Sequence, residues 1–366
     1  SAMYSLLGQM YLEMGNYGMA IQYFDHIMRY QRYNEVEGSN LRYGLDSKFS
    51  GPNWKNIFSG VDRDEHIMTL WFNKSYQQQN QLQYLFSTLA PNQYMLKPTA
   101  YAVHTWESMW HEFQREEFDN PDLTYLDPEY PGFAGDFSRG HGVSFVYQKG
   151  GIIMEYDEVR EMLELKASQN ESALKEFMAG VDTVVYKFTL GKNSFDQDAN
   201  FPIYRAGGIH LYYAEIFTRW KFPDGSGIVK PNIFEGLAVL NDGNYDNEPR
   251  QLGLRGRAGF VSDFEKISIT DPIYIHDPIT NQVSGYLDYT GNLFAKQIYL
   301  EDHVMEERVR EMAFEGERFY DLMRIARRRG DPAYLADKVS AKFESPLREQ
   351  IREHLMNEEN WYLKIQ

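Results

Sequence analysis

Cysteine is absent from all 366 residues. That excludes disulfides, thiolate metal sites and a cysteine nucleophile, and leaves the compartment open. No run approaches the ~18 uninterrupted apolar residues that a membrane helix needs, so the chain is not expected to span a bilayer. The nine histidines include no HExxH pair, and there is no Gly-x-Ser-x-Gly elbow and no phosphate-binding loop. Positive charge is also scarce: 37 Lys and Arg face 53 Asp and Glu, for a formal charge of -16. A field of that sign repels phosphate backbones and anionic lipid, so nucleic acid is not expected as a partner. The one basic cluster, Arg324 to Arg329, reads as a helix C-terminus, where cations complement the dipole. Ser1-Ala2-Met3 reads as an appended stretch, and no signal peptide follows it, so any export signal or anchor is expected to have been removed or never to have existed.

What the chain does hold is a globular composition, 43% hydrophobic and 25% charged, with an unusual share of aromatics: Tyr 27, Phe 23 and Trp 6. Tyr carries a flat apolar face with one polar tip. It suits packing between helices, and it suits flat ligands rich in hydroxyls.

At the N-terminus, Tyr4-x2-Leu7-Gly8-x2-Tyr11 followed by Ala20-x3-Phe24 has the tetratricopeptide pattern, with Tyr in place of the usual first Trp. Tyr4, Leu7, Tyr11 and Met14 predict one helical face, Gly15-Asn16-Tyr17 a turn, and Ala20, Ile21, Phe24, Ile27 and Met28 the returning face. Small residues at Gly8 and Ala20 allow close approach. A helix pair cannot bury both faces alone and needs stacked neighbours.

Residues 34–60 read as a long loop, 64–73 as a strand or buried segment, and 77–83 as a Gln-rich connection. Residues 99–117 read as a helix with Ala102, Trp106, Met109, Trp110 and Phe113 on one side. After a turn-rich stretch to Gly142, residues 143–154 predict a hairpin closed by Gly150-Gly151, and alternation around Val184 to Leu190 predicts a half-buried strand. Residues 203–220 read as helical, with 233–241 as a partner helix and 242–259 as loop. The strongest helical signal runs from about Asp302 to Arg329, with a seam of Met305, Val309, Met312, Gly316, Phe319 and Met323. Glu306 with Arg310 and Arg308 with Glu311 are expected as surface pairs. Gly316 inside such a helix costs about 1 kcal/mol relative to Ala.

Several of these segments together resemble the SusD/RagB family. "YSLLGQMYLEMGNYGMAIQYFDHIM" is similar to its tetratricopeptide-like pair. "NFPIYRAGGIHLYYAEI" resembles its helix with an Arg and an Ala-Glu step, here Arg205 and Ala214-Glu215. "RGRAGF", "EERVREMAFEGERFYDLMR" and "NEENWYLKI" resemble its later turn, its C-terminal helix signature and its end. The resemblance implies one mainly α domain over 1–366: a tetratricopeptide-like α-α superhelix with long loops and a small β hairpin or sheet. Its helix pairs would lie at 1–33 and 201–241 and its signature helix at 302–329, with an N-terminal part of the family missing. It further implies capture of an oligosaccharide or peptide beside a SusC/RagA-like TonB-dependent transporter. The native protein would be held on the extracellular face of the outer membrane by a lipid anchor, with no cofactor and no catalysis.

Sugars are held by aromatic faces together with polar groups that satisfy their hydroxyls. The loop candidates are Trp54, Trp71, Tyr76, Asn92, Tyr94, Tyr125 and Tyr130, with Asn53 and Asn73 as polar neighbours. Asp242-x-Asn244-x-Asp246 has the first three spacings of a calcium loop, but Asn247 and Gly253 stand where Gly and Glu belong. Gly253-x2-Gly256-x2-Gly259 lacks dinucleotide-binding spacing. Glu306 and Glu307 point about 100° apart on a helix and do not flank one glycosidic bond, so they read as solvated or ion-paired. His210, within an apolar helix, reads as a hydrogen-bonded core residue. The leading reading is ligand capture; a tetratricopeptide-like scaffold for protein partners and a glycoside hydrolase are the alternatives.

Overall fold

The computed structural model describes residues 1–28, 54–60, 65–86, 95–117, 120–126, 132–136, 139–168, 170–190, 196–223, 229–241, 254–257, 262–264, 266–278 and 280–362. Helices dominate: among the described residues there are thirteen. In chain order they are α1 (Ala2–Glu13), α2 (Tyr17–Met28), α3 (Trp54–Phe58), α4 (Leu82–Leu85), α5 (Ala100–Glu107), α6 (Tyr156–Ala167), α7 (Glu171–Met178), α8 (Ala206–Arg219), α9 (Ile233–Asn241), α10 (Leu293–Glu311), α11 (Arg318–Arg329), α12 (Pro332–Ser340) and α13 (Leu347–Leu355). Small antiparallel sheets lie between them. The mainly helical expectation is met, and no described helix is long and apolar enough to cross a membrane.

The first two helices pack as the N-terminal pattern predicts, with one correction. The buried face of α1 is Ser5, Gly8 and Leu12, rotated by one residue from the expected Tyr4, Leu7 and Met14, while Ala20, Ile21, Phe24 and Ile27 of α2 are buried as expected. A Cβ on Gly8 would overlap the Phe24 ring, so this glycine sets the distance between the helices. Phe24 in turn stacks on Tyr212 of α8 at 5.6 Å. Helix α8 is the centre of the largest core cluster, with every residue from Ala206 to Thr218 buried. His210 is buried, with its Nδ1 3.0 Å from the Ala206 carbonyl one turn back in the same helix, the hydrogen-bonded core role expected of it.

Three predicted helices are redrawn. Residues 99–117 form α5 and then a strand, Trp110–Glu117, which pairs with Asn120–Leu126, Gly132–Ala134 and Ser262–Phe264. Thr99 caps α5 through its side chain, and the helix ends at Ser108, where the Trp106, Met109, Trp110 spacing fits both periods. Residues 201–205 are a strand paired with His66–Leu70, and α8 begins only at Ala206. The long C-terminal helix is two, α10 and α11, separated by a turn in which Phe314 (φ 64°) and Gly316 (φ 89°) are left-handed. Gly316 is therefore a turn residue suited to its φ, and the interior helical cost assigned to it does not arise. The hairpin at 145–153 forms as expected and gains a third strand, Val181–Val185.

The C-terminal break brings acids onto cations inside the protein. Glu315 meets Arg205 at 3.0 Å and Lys187 at 2.8 Å, and Glu311 meets Arg205 at 2.7 Å, with all four side chains essentially inaccessible. A second group ties α8, α10 and α11 together: Glu215 pairs with Arg324 at 2.8 Å and with Arg328, Glu301 with Arg219 at 2.6 Å and Arg329 at 2.7 Å, and Arg308 with Asp321 at 2.7 Å. The surface pairs expected within α10 are replaced by these, because Arg308 is buried and turned toward α11. Arg328 and Arg329 do occupy the last turn of α11, but their side chains serve the network as well as the helix dipole. Burial alone pushes Glu215 up, yet Arg324 and Arg328 outweigh it and hold the carboxyl well below the usual range.

Two stability tests follow from this packing. Gly8→Val is expected to lower stability by about 1–3 kcal/mol through overpacking against Phe24, read as a lower thermal midpoint. Arg205→Met leaves the Glu311 and Glu315 carboxylates buried without their main partner and is expected to cost about 3–5 kcal/mol in urea unfolding. Arg352→Ala, which breaks an exposed pair with Asp337, is the control at about 0–1 kcal/mol.

Candidate functional site

Helix α10 carries its chemistry in parallel stripes. Tyr299, His303, Glu306 and Arg310 follow the 4-3-4 spacing of one helical face and together line a cleft. One residue further along, Leu300, Val304, Glu307 and Glu311 form the adjacent stripe, and all four are buried. Across the cleft stands the hairpin of Ile273–His276 and Val283–Leu287, which contributes Tyr274, Ile275, His276 and Leu287. The remaining wall comes from Ser108, Met109 and Trp110, where α5 gives way to its strand, and from Arg255 and Lys266. The cleft holds about 470 Å³.

Its surfaces combine rings with polar groups. Tyr274 is 59% exposed and lies opposite Tyr286 in the hairpin register. The Tyr299 and His303 rings meet edge to face at 4.4 Å, and His303 Nδ1 lies 3.7 Å from a Glu306 carboxylate oxygen. Burial lowers His303, favouring the neutral imidazole. The buried Trp110 indole nitrogen has no hydrogen-bond partner among the described residues. Arg255 and Arg310 are anchored from behind by Glu307, at 3.2 and 2.7 Å, and Glu307 also takes Arg139. Burial pushes Glu307 up, and the guanidiniums of Arg139, Arg310 and Arg255 pull it much further down, so it stays a carboxylate. Flat apolar faces, hydroxyls and fixed N–H donors in one concavity suit a ligand bearing many hydroxyls.

Of the residues singled out in the sequence, the described Trp71 and Tyr76 are not among those lining this cleft. Trp71 lies just beyond the strand His66–Leu70, 42% exposed, with its ring edge-on to His66 at 5.3 Å. Tyr76 ends a short turn and is 76% exposed. Both sit on a segment pinned to residues 196–200: the Phe72 N–H donates to Asn200 at 2.9 Å, and Lys74 pairs with Asp196 at 2.9 Å. Asn73 is spent locally, capping the turn by accepting from the Ser75 N–H. Trp54 opens α3, and Tyr125 lies in the strand Asn120–Leu126 opposite Arg115. Asn53, Asn92, Tyr94, Tyr130 and the calcium-like Asp242, Asn244 and Asp246 lie outside the described residues. Glu306 and Glu307 do diverge as helical geometry requires, one toward the cleft and one into the ion-paired interior. The cleft residues Tyr299, His303, Glu306 and Arg310 were legible as a 4-3-4 stripe, and Trp110 was hidden by the helical reading of its segment.

Among the described residues, thirteen of the seventeen that line the cleft fall within positions 266–363, the stretch that matches the model of the SusD family. Through that segment the chain is similar to the SusD/RagB family. Among solved structures it is similar to a SusD superfamily protein from Bacteroides vulgatus, at 14% identity and a TM-score of 0.48, covering 95% of this chain and 54% of that one. A SusD-like carbohydrate binding protein from Bacteroides fragilis is similar at 14% identity and a TM-score of 0.45, covering 89% and 52%. A laminarin binding SusD-like protein is similar at 16% identity and a TM-score of 0.40, covering 94% and 57%. The chain thus spans about half the length of these solved structures. No curated protein matches it.

Immediately before the cleft wall, Glu107 ends α5 and accepts a 2.6 Å hydrogen bond from the Tyr147 hydroxyl. His141 stands beside this pair, its ring 5.8 Å from Tyr147 and 4.9 Å from Tyr156. Burial pushes the Glu107 carboxyl up to about 7, against the opposing hydrogen bond from Tyr147. The folded state therefore retains a proton that the unfolded state, with an ordinary carboxyl near 4.5, has already lost. This group makes stability fall as pH rises from about 4.5 to about 7 and contributes no further slope above that. Glu107→Gln is expected to remove that decline, by roughly 2 kcal/mol between the two ends. Urea unfolding across that pH range checks it, and an unchanged slope would place the proton elsewhere.

Proposed function

We propose that this chain captures an oligosaccharide in the cleft between α10 and the hairpin at 273–287, and releases it unaltered. The observation that carries the reading is the cleft itself: Tyr274, Tyr299 and Trp110 beside His303, Glu306 and Arg310, built largely from the family-matched segment. The carbohydrate and laminarin binding described for two similar structures points the same way. Capture without cleavage fits the carboxylates. Glycosidic hydrolysis uses two carboxyl groups flanking one bond, whereas Glu307 is held behind the wall by three arginines and leaves Glu306 without it as a partner. In this reading the native protein sits on the extracellular face of the outer membrane through a lipid anchor. It passes its ligand to a SusC/RagA-like TonB-dependent transporter.

A scaffold for protein partners is the second reading, favoured by Met3, Leu6 and Met10, an exposed apolar stripe along α1. Glycan and peptide arrays separate the two. For a glycan that binds, Tyr274→Ala and Tyr299→Ala are each expected to weaken affinity roughly tenfold or more, and Tyr76→Ala to leave it unchanged, by titration calorimetry. Loss of binding in Tyr76→Ala alone would move the site to the pinned segment, and release of reducing ends would replace capture by hydrolysis.

A further inference from the structure

One buried guanidinium has more donors than acceptors around it. Arg308, near the end of α10, is 2% exposed, and its Nε donates to Asp321 of α11 at 2.7 Å. Its Nη1 and Nη2 are also buried, and neither has a hydrogen-bond partner among the described residues. The Glu317 carboxylate lies 3.5 Å from Nη2, near enough for charge attraction and too far for a good hydrogen bond. The Tyr212 ring, 4.4 Å from the guanidinium carbon, attracts the charge, but a π face accepts N–H groups only weakly. Buried donors left without an acceptor are rare in folded proteins, and ordered water is a common answer to them.

These donors stand at a small cavity. Arg308 lines it together with Tyr204, Gly208, Tyr212, Met312 and Glu317, where the first turns of α8 meet the end of α10 and the start of α11. Arg205 also borders it, with its own donors turned to Glu65, Glu311 and Glu315. The cavity leaves about 10 Å³ for the centre of a water-sized sphere, which is room for about one water and nothing larger.

The walls narrow the occupant further. An anion there would meet Arg308 but also the Glu317 carboxylate, and Asp321 already answers the same guanidinium. A cation would meet Glu317 but also Arg308 and Arg205. A water accepts from one and donates to the other at once. Glu317 Oε2, which takes the Tyr212 hydroxyl at 3.2 Å, is an acceptor already turned to this side.

We propose that the cavity is a binding site for a single ordered water, which accepts from an Arg308 Nη and donates to the Glu317 carboxylate. The water joins α10 to the N-cap residue of α11 across the turn that separates the two helices. It belongs to the frame and is independent of the glycan reading of the cleft.

The test is a crystal structure of the whole chain at a resolution that shows ordered solvent, with crystals grown in chloride and in bromide. One solvent peak is expected at hydrogen-bond distance, roughly 2.7–3.2 Å, from both an Arg308 Nη and a Glu317 oxygen, with no anomalous signal in bromide. Glu317→Gln keeps an acceptor in place without the charge and is expected to keep the peak. A direct hydrogen bond between Arg308 and Glu317 with no solvent peak overturns the proposal. An anomalous bromide peak also overturns it, by making the site one for an anion. Loss of the peak in Glu317→Gln overturns it as well, by making the occupant a cation held by the carboxylate.

Discussion

The structure depends on opposite charges neutralising one another where water does not reach. Arg205, Glu311, Glu315 and Lys187 on one side, and Glu215, Arg324, Arg328 and Glu301 on the other, join α8 to the C-terminal helices. Taking such groups out of water is costly, and their attraction offsets that cost only with good geometry and full pairing. Apolar contacts tolerate sliding by fractions of a turn, whereas these pairs are satisfied in one arrangement. The network therefore fixes the rotation of α10 about its axis, and with it the direction in which Tyr299, His303, Glu306 and Arg310 face.

This explains why the resemblance seen in the sequence falls on charged residues within apolar helices. Arg205 and Glu215, read only as part of a familiar string, turn out to be hubs of the buried pairing. The "EGERFYDLMR" stretch holds Glu315, Asp321 and Arg324, and its glycine supplies the left-handed turn that delivers Glu315 to Arg205. A periodicity argument sees an unbroken seam across Gly316, since apolar residues continue on both sides. The ion pairs, not the seam, decide where α10 stops.

Much of the frame was legible in the sequence. The N-terminal helix pair, the α8 and α9 pair and the hairpin at Gly150-Gly151 follow from local spacing and turn chemistry. What local spacing missed are the segments that change period in mid-course, at Ser108 and at Arg205, where strand partners far along the chain override helical preference. The site was harder to see. Trp71 and Tyr76, aromatics outside the α-helices, lie on a segment fixed to residues 196–200. The cleft instead takes its rings from a helix stripe and a hairpin, Tyr299 and Tyr274, whose meeting is a tertiary fact.

The one-residue offset between the stripes of α10 has an evolutionary corollary. Exchanging Tyr299, His303, Glu306 or Arg310 for another residue alters what the cleft presents while Leu300, Val304, Glu307 and Glu311 keep their places in the interior. Inserting or deleting a single residue between them would swing the two faces by about 100° and set solute-facing groups against the core. Such a helix can drift freely in preference by substitution, yet its length is locked.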